Sequence, residues 1–320
     1  MKRAILIVVV AATACSSPAV APPAETTTTA PAGSSTTTVT PNSTSTAPPP
    51  TTTTTAPAPP RRIELDRSDD ATASRLEADA DALLTIGVRE AGTAAEAETA
   101  DWLARSLRAA GLAVTVETVP LPNDRESQNV IARLGTGESH VVIGGHMDTI
   151  VGSPGLDDNG SGVIVLRELA RRYAETPPPI TVSLVFFGAE EVLSGYSRDF
   201  HHFGSRQMAA RLGTASNLPD AMVSVDMVGI GETLLAVTYL DSDPTAADAV
   251  AAAATGLGID ITRRSRGDIS DHEGFAREGT PSVMLWRPDN PNYHTAGDDV
   301  VRVDALLDVI AIVEAYVAGY

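Results

Sequence analysis

The chain has 320 residues, of which 41 are acidic and 23 are lysine or arginine, so its formal net charge at pH 7 is −18. This excess of negative charge argues against binding to the phosphate backbone of nucleic acids, and it favours solubility without indicating a particular substrate. The length suits one large domain or two small ones, and a single cysteine, Cys15, excludes a disulfide within the chain.

The first fifteen residues have the pattern of an export signal. Lys2 and Arg3 precede an apolar run over residues 4–14, which is too short to cross a bilayer as a mature helix. The sequence ATAC at 12–15 resembles a bacterial lipoprotein box, in which the cysteine becomes the lipidated first residue. We therefore expect residues 1–15 to be a lipoprotein signal peptide and Cys15 to anchor the protein at the outer face of the bacterial cell membrane. The alternative is plain secretion after an Ala-x-Ala cleavage, with no role for Cys15.

Residues 16–60 consist mainly of Thr, Pro, Ala and Ser, with Glu25 as their only charged residue. Such a segment cannot bury enough apolar surface to offset its chain entropy, so we expect a disordered stalk. Residues 61–320 have ordinary apolar content and are expected to form a single folded domain.

Within residues 61–320, segments with helical spacing alternate with apolar runs that are typical of strands. Helices are predicted over 68–86, 93–110, 161–173, 207–212, 246–255 and 303–316, and strands over 113–119, 129–134, 140–145, 180–188 and 221–229. The last three strands are nearly continuous apolar runs, as in central strands that are covered on both faces. The alternation predicts an α/β fold: a three-layer sandwich in which a mostly parallel central sheet carries helices on both faces.

Histidine and carboxylate residues follow the predicted buried strands, at the edge of the sheet where ligands collect in such folds. They are His146 and Asp148 after strand 140–145, Asp157 and Asp158 in a glycine-bounded turn, Glu190 and Glu191 after strand 180–188, Asp226 in strand 221–229, and His294 in NYHTAGD. Each has an ordinary explanation when taken singly, such as turn chemistry for an aspartate beside glycine. Together, imidazole and carboxylate groups without cysteine indicate a site for zinc or a similar divalent ion.

The order GGHMDT, PGLDDNGSG, GAEE, VDMVG, SDHEGF and YHT resembles the co-catalytic di-zinc aminopeptidases, the secreted bacterial aminopeptidases of metallopeptidase clan MH. The resemblance extends over nearly all of residues 71–320, and it implies a zinc-exopeptidase fold and two zinc ions per chain. By that similarity, His146 and Asp226 hold one zinc, Glu191 and His294 hold the other, and Asp157 bridges both. Asp158 is then expected to follow Asp157 across a cis peptide bond.

The resemblance also implies a reaction, the removal of amino-terminal residues from peptides. Glu190 is expected to act as the general base for a hydroxide that bridges the two metals. Asp148 is expected to accept the other ring N–H of His146 and so to orient that ligand. Tyr293 is expected to donate a hydrogen bond to the oxyanion.

Other activities stay open at this point. A carboxypeptidase, another amide hydrolase or a glutaminyl cyclase would share the fold, although a cyclase uses one zinc and the presence of both His146 and Asp226 argues against it. A lipoprotein that binds metal or peptide without turnover is an alternative of another class, against which Glu190 argues because binding alone needs no base. The expected partners are peptide substrates, with no nucleic acid, no protein partner, and membrane contact only through Cys15.

Residues 192–203 depart from the pattern of the resembled family. In that family fewer residues lie between the glutamate pair and the Gly-Ser pair that opens the next helix, which is Gly204–Ser205 here. This segment is either a variable surface loop or a lid or specificity wall over the substrate pocket.

Overall fold

A computed structural model of the protein describes residues 70–122, 124–267 and 269–320. The expected signal peptide (1–15), the expected stalk (16–60) and the first residues of the expected domain lie outside the described residues. Within the described ranges, no helix combines the length and the apolar character that crossing a membrane requires.

Helices and strands alternate along the described ranges. The helices are α1 (Asp70–Ile86), α2 (Ala94–Ala109), α3 (Gly162–Glu175), α4 (Phe203–Thr214), α5 (Thr245–Gly256), α6 (His272–Arg277) and α7 (Val303–Ala318). The strands are β1 (Ala113–Pro120), β2 (Glu126–Leu134), β3 (His140–His146), β4 (Thr181–Phe187), β5 (Ala221–Val225), β6 (Leu235–Tyr239), β7 (Thr262–Arg266) and β8 (Ser282–Trp286). The sequence patterns predict all of these elements except α6, β6, β7 and β8.

The strands form one mixed sheet in the order β1-β2-β4-β3-β5-β8-β6-β7. Parallel pairing joins β4, β3, β5 and β8 in the centre and β6 with β7 at one edge. The pairs β1/β2, β2/β4 and β6/β8 are antiparallel. The continuous apolar runs of β3 and β4 therefore belong to the parallel centre, where both faces of a strand are covered.

Alternate side chains of β3 pack against different helical layers. Val141 and Ile143 belong to the core cluster that includes residues of α1, α2, α3, α5 and α7, whereas Val142 belongs to the cluster that includes residues of α4 and α6. Successive side chains of a strand point to opposite faces, so the two clusters lie on the two sides of the sheet. This arrangement confirms the predicted α/β sandwich.

The parallel pairing brings the carboxyl ends of β3, β4 and β5 to one edge of the sheet, where His146 pairs with Phe187. The backbones of β3 and β5 approach closely there, since a Cβ on Gly145 would lie 2.6 Å from the carbonyl oxygen of Val225. The predicted strand 221–229 ends at Val225, and Met227 has a φ of 51°. The chain therefore leaves the sheet at Asp226, beside the end of β3.

Candidate metal centre

The first cluster of ligand-type side chains surrounds His146, the last residue of β3. Its Nε2 atom lies 3.3 Å from Oδ1 of Asp158 and 3.6 Å from Oδ1 of Asp226. Oε2 of Glu190 lies 3.8 Å from the same nitrogen. The other ring nitrogen, Nδ1, is 3.1 Å from the backbone carbonyl oxygen of Asp148, which leaves Nε2 to face the carboxylates.

The second cluster surrounds His294. Its Nε2 atom lies 3.1 Å from Oδ2 of Asp158 and 3.1 Å from Oε1 of Glu191. Asp158 therefore belongs to both clusters: one of its carboxylate oxygens faces His146 and the other faces His294. A carboxylate in this position can be shared by two cations.

Asp158, and not Asp157, lies between the two histidines, where the bridging residue was predicted. The Asp157 carboxylate instead accepts hydrogen bonds from the backbone N–H of Gly229 at 2.7 Å and from Nδ2 of Asn290 at 3.0 Å. The cis peptide bond lies between Asp158 and Asn159, one residue later than expected. Asp158 faces both clusters because the side chains of the two adjacent aspartates point in different directions, and only that of Asp158 lies between the two histidines.

The turn that presents Asp158 is anchored on both sides. The carboxylate of Asp298 accepts hydrogen bonds from the backbone N–H groups of Asp157 and Asp158, at 3.2 and 3.1 Å. The Asn159 side chain donates to the carbonyl oxygen of Val225 at 2.8 Å and accepts from the N–H of Gly162. These contacts tie the turn to β5 and to the start of α3, so the direction of the Asp158 carboxylate is set by its surroundings.

Asp148 orients both the glutamate pair and His146. Its carboxylate accepts the backbone N–H of Glu190 at 3.0 Å and that of Glu191 at 3.1 Å. The predicted contact with His146 Nδ1 is made at 3.1 Å by the backbone carbonyl of Asp148, whereas the nearer carboxylate oxygen is 3.6 Å away. Asp148 thus connects the end of β3 with the segment after β4.

The two oxygens of Glu190 face different surroundings. Oε2 faces His146, while Oε1 lies 2.8 Å from Nε2 of His202. Burial raises the pKa of Glu190, but the charges of His146 and His202 outweigh burial and lower it. Glu190 is therefore ionised at neutral pH, as a proton acceptor must be.

The clusters contain more negative than positive groups, since four carboxylates accompany two imidazoles. Burial raises the pKa of Glu191 to about 8, with a further contribution from the charge of Asp158. Burial also raises the pKa of Asp226. Burial lowers the pKa of His294, but hydrogen bonds to Asp158 and Glu191 outweigh it and raise the value to about 10. A divalent cation in each cluster would supply the missing positive charge.

The donor atoms also have the spacing that zinc requires. Zinc bonds of about 2.0–2.2 Å place the ligand atoms of a tetrahedral site about 3.3–3.6 Å apart. The two histidine nitrogens lie 3.1–3.6 Å from the carboxylate oxygens of Asp158, Asp226 and Glu191. In addition, Oδ1 of Asp226 is buried without a hydrogen-bond partner among the described residues. A buried carboxylate oxygen is costly unless it is paired or bound to metal. The residues present therefore fit two zinc ions or similar cations.

A cavity of about 290 Å³ opens beside both clusters. Apart from the metal-ligand candidates, its lining is mainly apolar and aromatic and includes Met227, Ile269, Met284, Trp286 and Tyr293. The Tyr293 ring stacks on His294, with 3.7 Å between the ring centroids, and is half exposed. Tyr293 thus lies where a substrate in the cavity would meet the second cluster.

Sequence reasoning misses the groups that hold the ligand-bearing loops. Arg89 is fully buried, and its guanidinium donates to the carbonyl oxygens of Met147, Pro154 and Gly155 at 2.7–3.0 Å. Asp298 supports the Asp158 turn from a distant part of the chain. Neither residue lies at the end of a predicted strand, so the strand-end signal that reveals the ligands does not apply to them.

Residues 192–202 form a loop whose two ends differ in burial. Leu193 is buried against Val119 and Leu121, and most of residues 194–200 are exposed, as expected of a surface loop. The loop ends on His201 and His202, both of which are buried. Within the described part of the chain, the lining of the cavity comes from other segments.

Known sequences similar to this chain include aminopeptidases. Aminopeptidase YwaD of Bacillus subtilis is 29% identical over 174 residues, which are 51% of this chain and 36% of the relative. The probable lipoprotein aminopeptidase LpqL of Mycobacterium tuberculosis is 27% identical over 229 residues, which are 59% of this chain and 44% of the relative. The chain therefore spans less than half the length of each of these two relatives.

Solved structures with the same fold include a zinc aminopeptidase from Bacillus subtilis, with a TM-score of 0.68 at 20% identity over 77% of this chain and 94% of that one. A glutaminyl cyclase from Tannerella forsythia has a TM-score of 0.68 at 23% identity over 78% of this chain and 98% of that one. The sequence profile of peptidase family M28 matches residues 129–317, a range that contains every ligand candidate of both clusters. The resemblance to the clan MH metallopeptidases is thereby confirmed, and the chain belongs to peptidase family M28.

Proposed function

We propose that the protein is a zinc-dependent exopeptidase that removes amino-terminal residues from peptides. The observation that carries this proposal is the carboxylate of Asp158, which lies between two histidine-containing clusters with the ionised Glu190 beside them. Membership of family M28 and the aminopeptidase names of the relatives support the same activity.

In this proposal the chain holds two zinc ions. His146, Asp226 and Asp158 would bind one ion, and Glu191, His294 and Asp158 would bind the other. Bound zinc would polarise the scissile carbonyl and lower the pKa of the attacking water.

The remaining groups position the substrate and move a proton. Glu190 accepts the proton of the attacking water and passes it to the leaving amine. Asp148 holds the backbone of the glutamate pair in place, and the Tyr293 hydroxyl donates to the carbonyl oxygen as negative charge develops there. The mainly apolar cavity beside these groups can receive the side chain of the residue that is removed.

The experiment compares the wild-type protein with Glu190→Ala on amino-acid p-nitroanilides and on amino-blocked and carboxy-blocked peptides, with and without chelator. We expect about two zinc ions per chain in both proteins, chelator-sensitive hydrolysis only of substrates with a free amino terminus, and a loss of about 10²–10⁴-fold in kcat for the variant. Full activity of Glu190→Ala would remove the base from its role. Selective cleavage of amino-blocked peptides would indicate a carboxypeptidase, and zinc binding without turnover would indicate a binding protein.

We also propose export, with lipid attachment at Cys15. The basic and apolar start, the ATAC sequence and the lipoprotein name of the relative LpqL support this. Mass spectrometry of the mature amino terminus tests it: we expect a lipidated Cys15 as the first residue, and an unmodified start at any other residue would contradict the anchor.

A further inference from the structure

His202 contacts Glu190 and is not among the residues that line the cavity. It is buried, and it precedes the first residue of α4 with a φ of 54°. Its Nε2 atom lies 2.8 Å from Oε1 of Glu190, and its backbone N–H donates to the carbonyl oxygen of Glu190 at 2.8 Å. His202 therefore contacts both the side chain and the main chain of Glu190.

The second nitrogen of the His202 ring faces another buried carboxylate. Nδ1 lies 3.2 Å from Oε2 of Glu273, a residue of α6. Glu273 also accepts hydrogen bonds from the Arg206 and Arg277 side chains. Burial raises the pKa of Glu273, but its hydrogen bonds with His202, Arg206 and Arg277 outweigh burial and lower it below its usual range. Glu273 is thus ionised at neutral pH.

A histidine between two carboxylates must donate from both nitrogens, and only the imidazolium form carries both N–H groups. Burial lowers the pKa of His202, but Glu190 and Glu273, with a further contribution from the nearby Asp271, raise it to about 10. With a carboxylate oxygen facing each ring nitrogen, the ring is placed to donate to Glu190 and Glu273. Its role is to hold Glu190.

The contact with His202 selects which oxygen of Glu190 faces the metal centre. Oε1 is taken up by His202, so Oε2 remains on the side of His146, at 3.8 Å from Nε2. The backbone N–H of Glu190 is held independently by Asp148 at 3.0 Å. With one carboxylate oxygen and both backbone polar groups fixed, the rotational freedom that a glutamate normally has is removed before substrate arrives.

We propose that the buried His202–Glu273 pair positions Glu190, holding Oε1 so that Oε2 alone is presented to the attacking water. This inference rests on the proposed function, in which Glu190 is the base. His202 is a positioning residue: the proton of the water goes to Oε2 of Glu190, and His202 stays an imidazolium throughout.

Two substitutions at His202 distinguish the effect of losing the hydrogen-bond donor from the effect of changing the volume of the side chain. His202→Gln keeps a donor that can reach Glu190, whereas His202→Leu fills similar volume without a donor, and both carry the same backbone strain at positive φ. The control is His140→Leu at the opposite end of β3, where Nε2 of His140 is 2.9 Å from the Ser183 hydroxyl. We expect all three variants to retain the wild-type zinc content.

In steady-state kinetics, His202→Leu should lower kcat by about 10–100-fold with little change in KM. His202→Gln should recover part of that loss, and His140→Leu should have wild-type kcat. Equal kcat values for His202→Leu and His140→Leu would overturn the proposal, and so would equal losses in the Leu and Gln variants, because these would show that the donor is irrelevant.

A second measurement does not depend on turnover. Nitrogen-15 NMR of the zinc-loaded full chain should show a histidine ring with both nitrogens protonated at pH 7, which is absent in His202→Gln and shifted in Glu190→Ala and Glu273→Gln. An Nε2 atom of His202 without a proton would overturn the proposal, because it could not donate to Oε1 of Glu190. A wild-type protein without peptidase activity would instead overturn the proposed function, while the NMR spectrum would still report whether His202 binds Glu190.

Discussion

The assignment of the shared ligand is tested by exchanging each of the two adjacent aspartates for asparagine. Asp158→Asn removes the only carboxylate that contacts both His146 and His294 in the described structure, at 3.3 and 3.1 Å. Asp157→Asn changes a neighbouring carboxylate that contacts Gly229 and Asn290 instead. The two variants differ by one position in the sequence and have the same change in composition.

The two substitutions are expected to have different effects on zinc affinity and on stability. Groups that merely support metal ligands cost about 10–100-fold in affinity when removed, so the loss of a direct ligand should cost at least about 100-fold, or about 2.8 kcal/mol, at each site. Burial raises the pKa of Asp157 to about 8, and asparagine at this position keeps one acceptor oxygen in a side chain of the same shape. Asn290 keeps its contact with Asp298 at 3.0 Å, so Asp157→Asn should cost about 1 kcal/mol of stability, the value of one hydrogen bond.

The assay is zinc content by mass spectrometry after dialysis against a competing chelator, followed by calorimetric titration of the metal-free proteins. We expect Asp157→Asn to retain the wild-type number of zinc ions and Asp158→Asn to lose both. Wild-type zinc affinity in Asp158→Asn, together with metal loss in Asp157→Asn, would refute the reasoning and restore Asp157 as the bridging residue.

Two further predictions concern the stability of the fold. Burial raises the pKa of Glu168, but hydrogen bonds from Arg75 and Arg172 outweigh burial and lower the pKa below 4.5. Urea unfolding of Glu168→Gln should therefore show a free energy of unfolding that is lower by about 1–2 kcal/mol at pH 7. Because the folded pKa is the lower one, this loss should persist down to about pH 4.5 and disappear in stronger acid; a loss independent of pH would contradict it. Gly145→Ala should lower stability by about 1–3 kcal/mol, since its Cβ would lie 2.6 Å from a backbone carbonyl oxygen of β5. Gly256→Ala, whose Cβ meets nothing within 4 Å at the end of α5, is the matched control and should stabilise the protein by about 0.4–1 kcal/mol in thermal unfolding; equal effects of the two substitutions would contradict the close approach.

The central part of the fold could be predicted because its signal is local. The apolar runs of β3, β4 and β5 show that these strands are covered on both faces, and the helices between them require parallel pairing. Carboxyl ends of parallel strands meet at one edge, so residues that follow these strands are brought together by topology alone. His146 and Asp226 could be found in this way.

The three strands beyond β5 in the sheet have apolar runs that are short or missing. Strand β7 reads TRRSR and is largely exposed, and β6 and β8 have only five residues each. Their pairing depends on contacts between distant segments, which hydrophobic periodicity does not report.

By itself, the sequence determined the chemical type of the site and its place at the carboxyl edge of the sheet, because periodicity and strand order are properties of the chain. Only the tertiary structure decided that Asp158 faces the two histidines where Asp157 was expected, since the direction of a side chain in an irregular turn depends on groups as distant as Asp298. It also decided that His202 and Glu273, 71 residues apart, meet beside Glu190. The physical reason is that buried charges and hydrogen-bond donors need partners in the folded structure. These partners come from distant segments of the chain, so no local sequence pattern reports them.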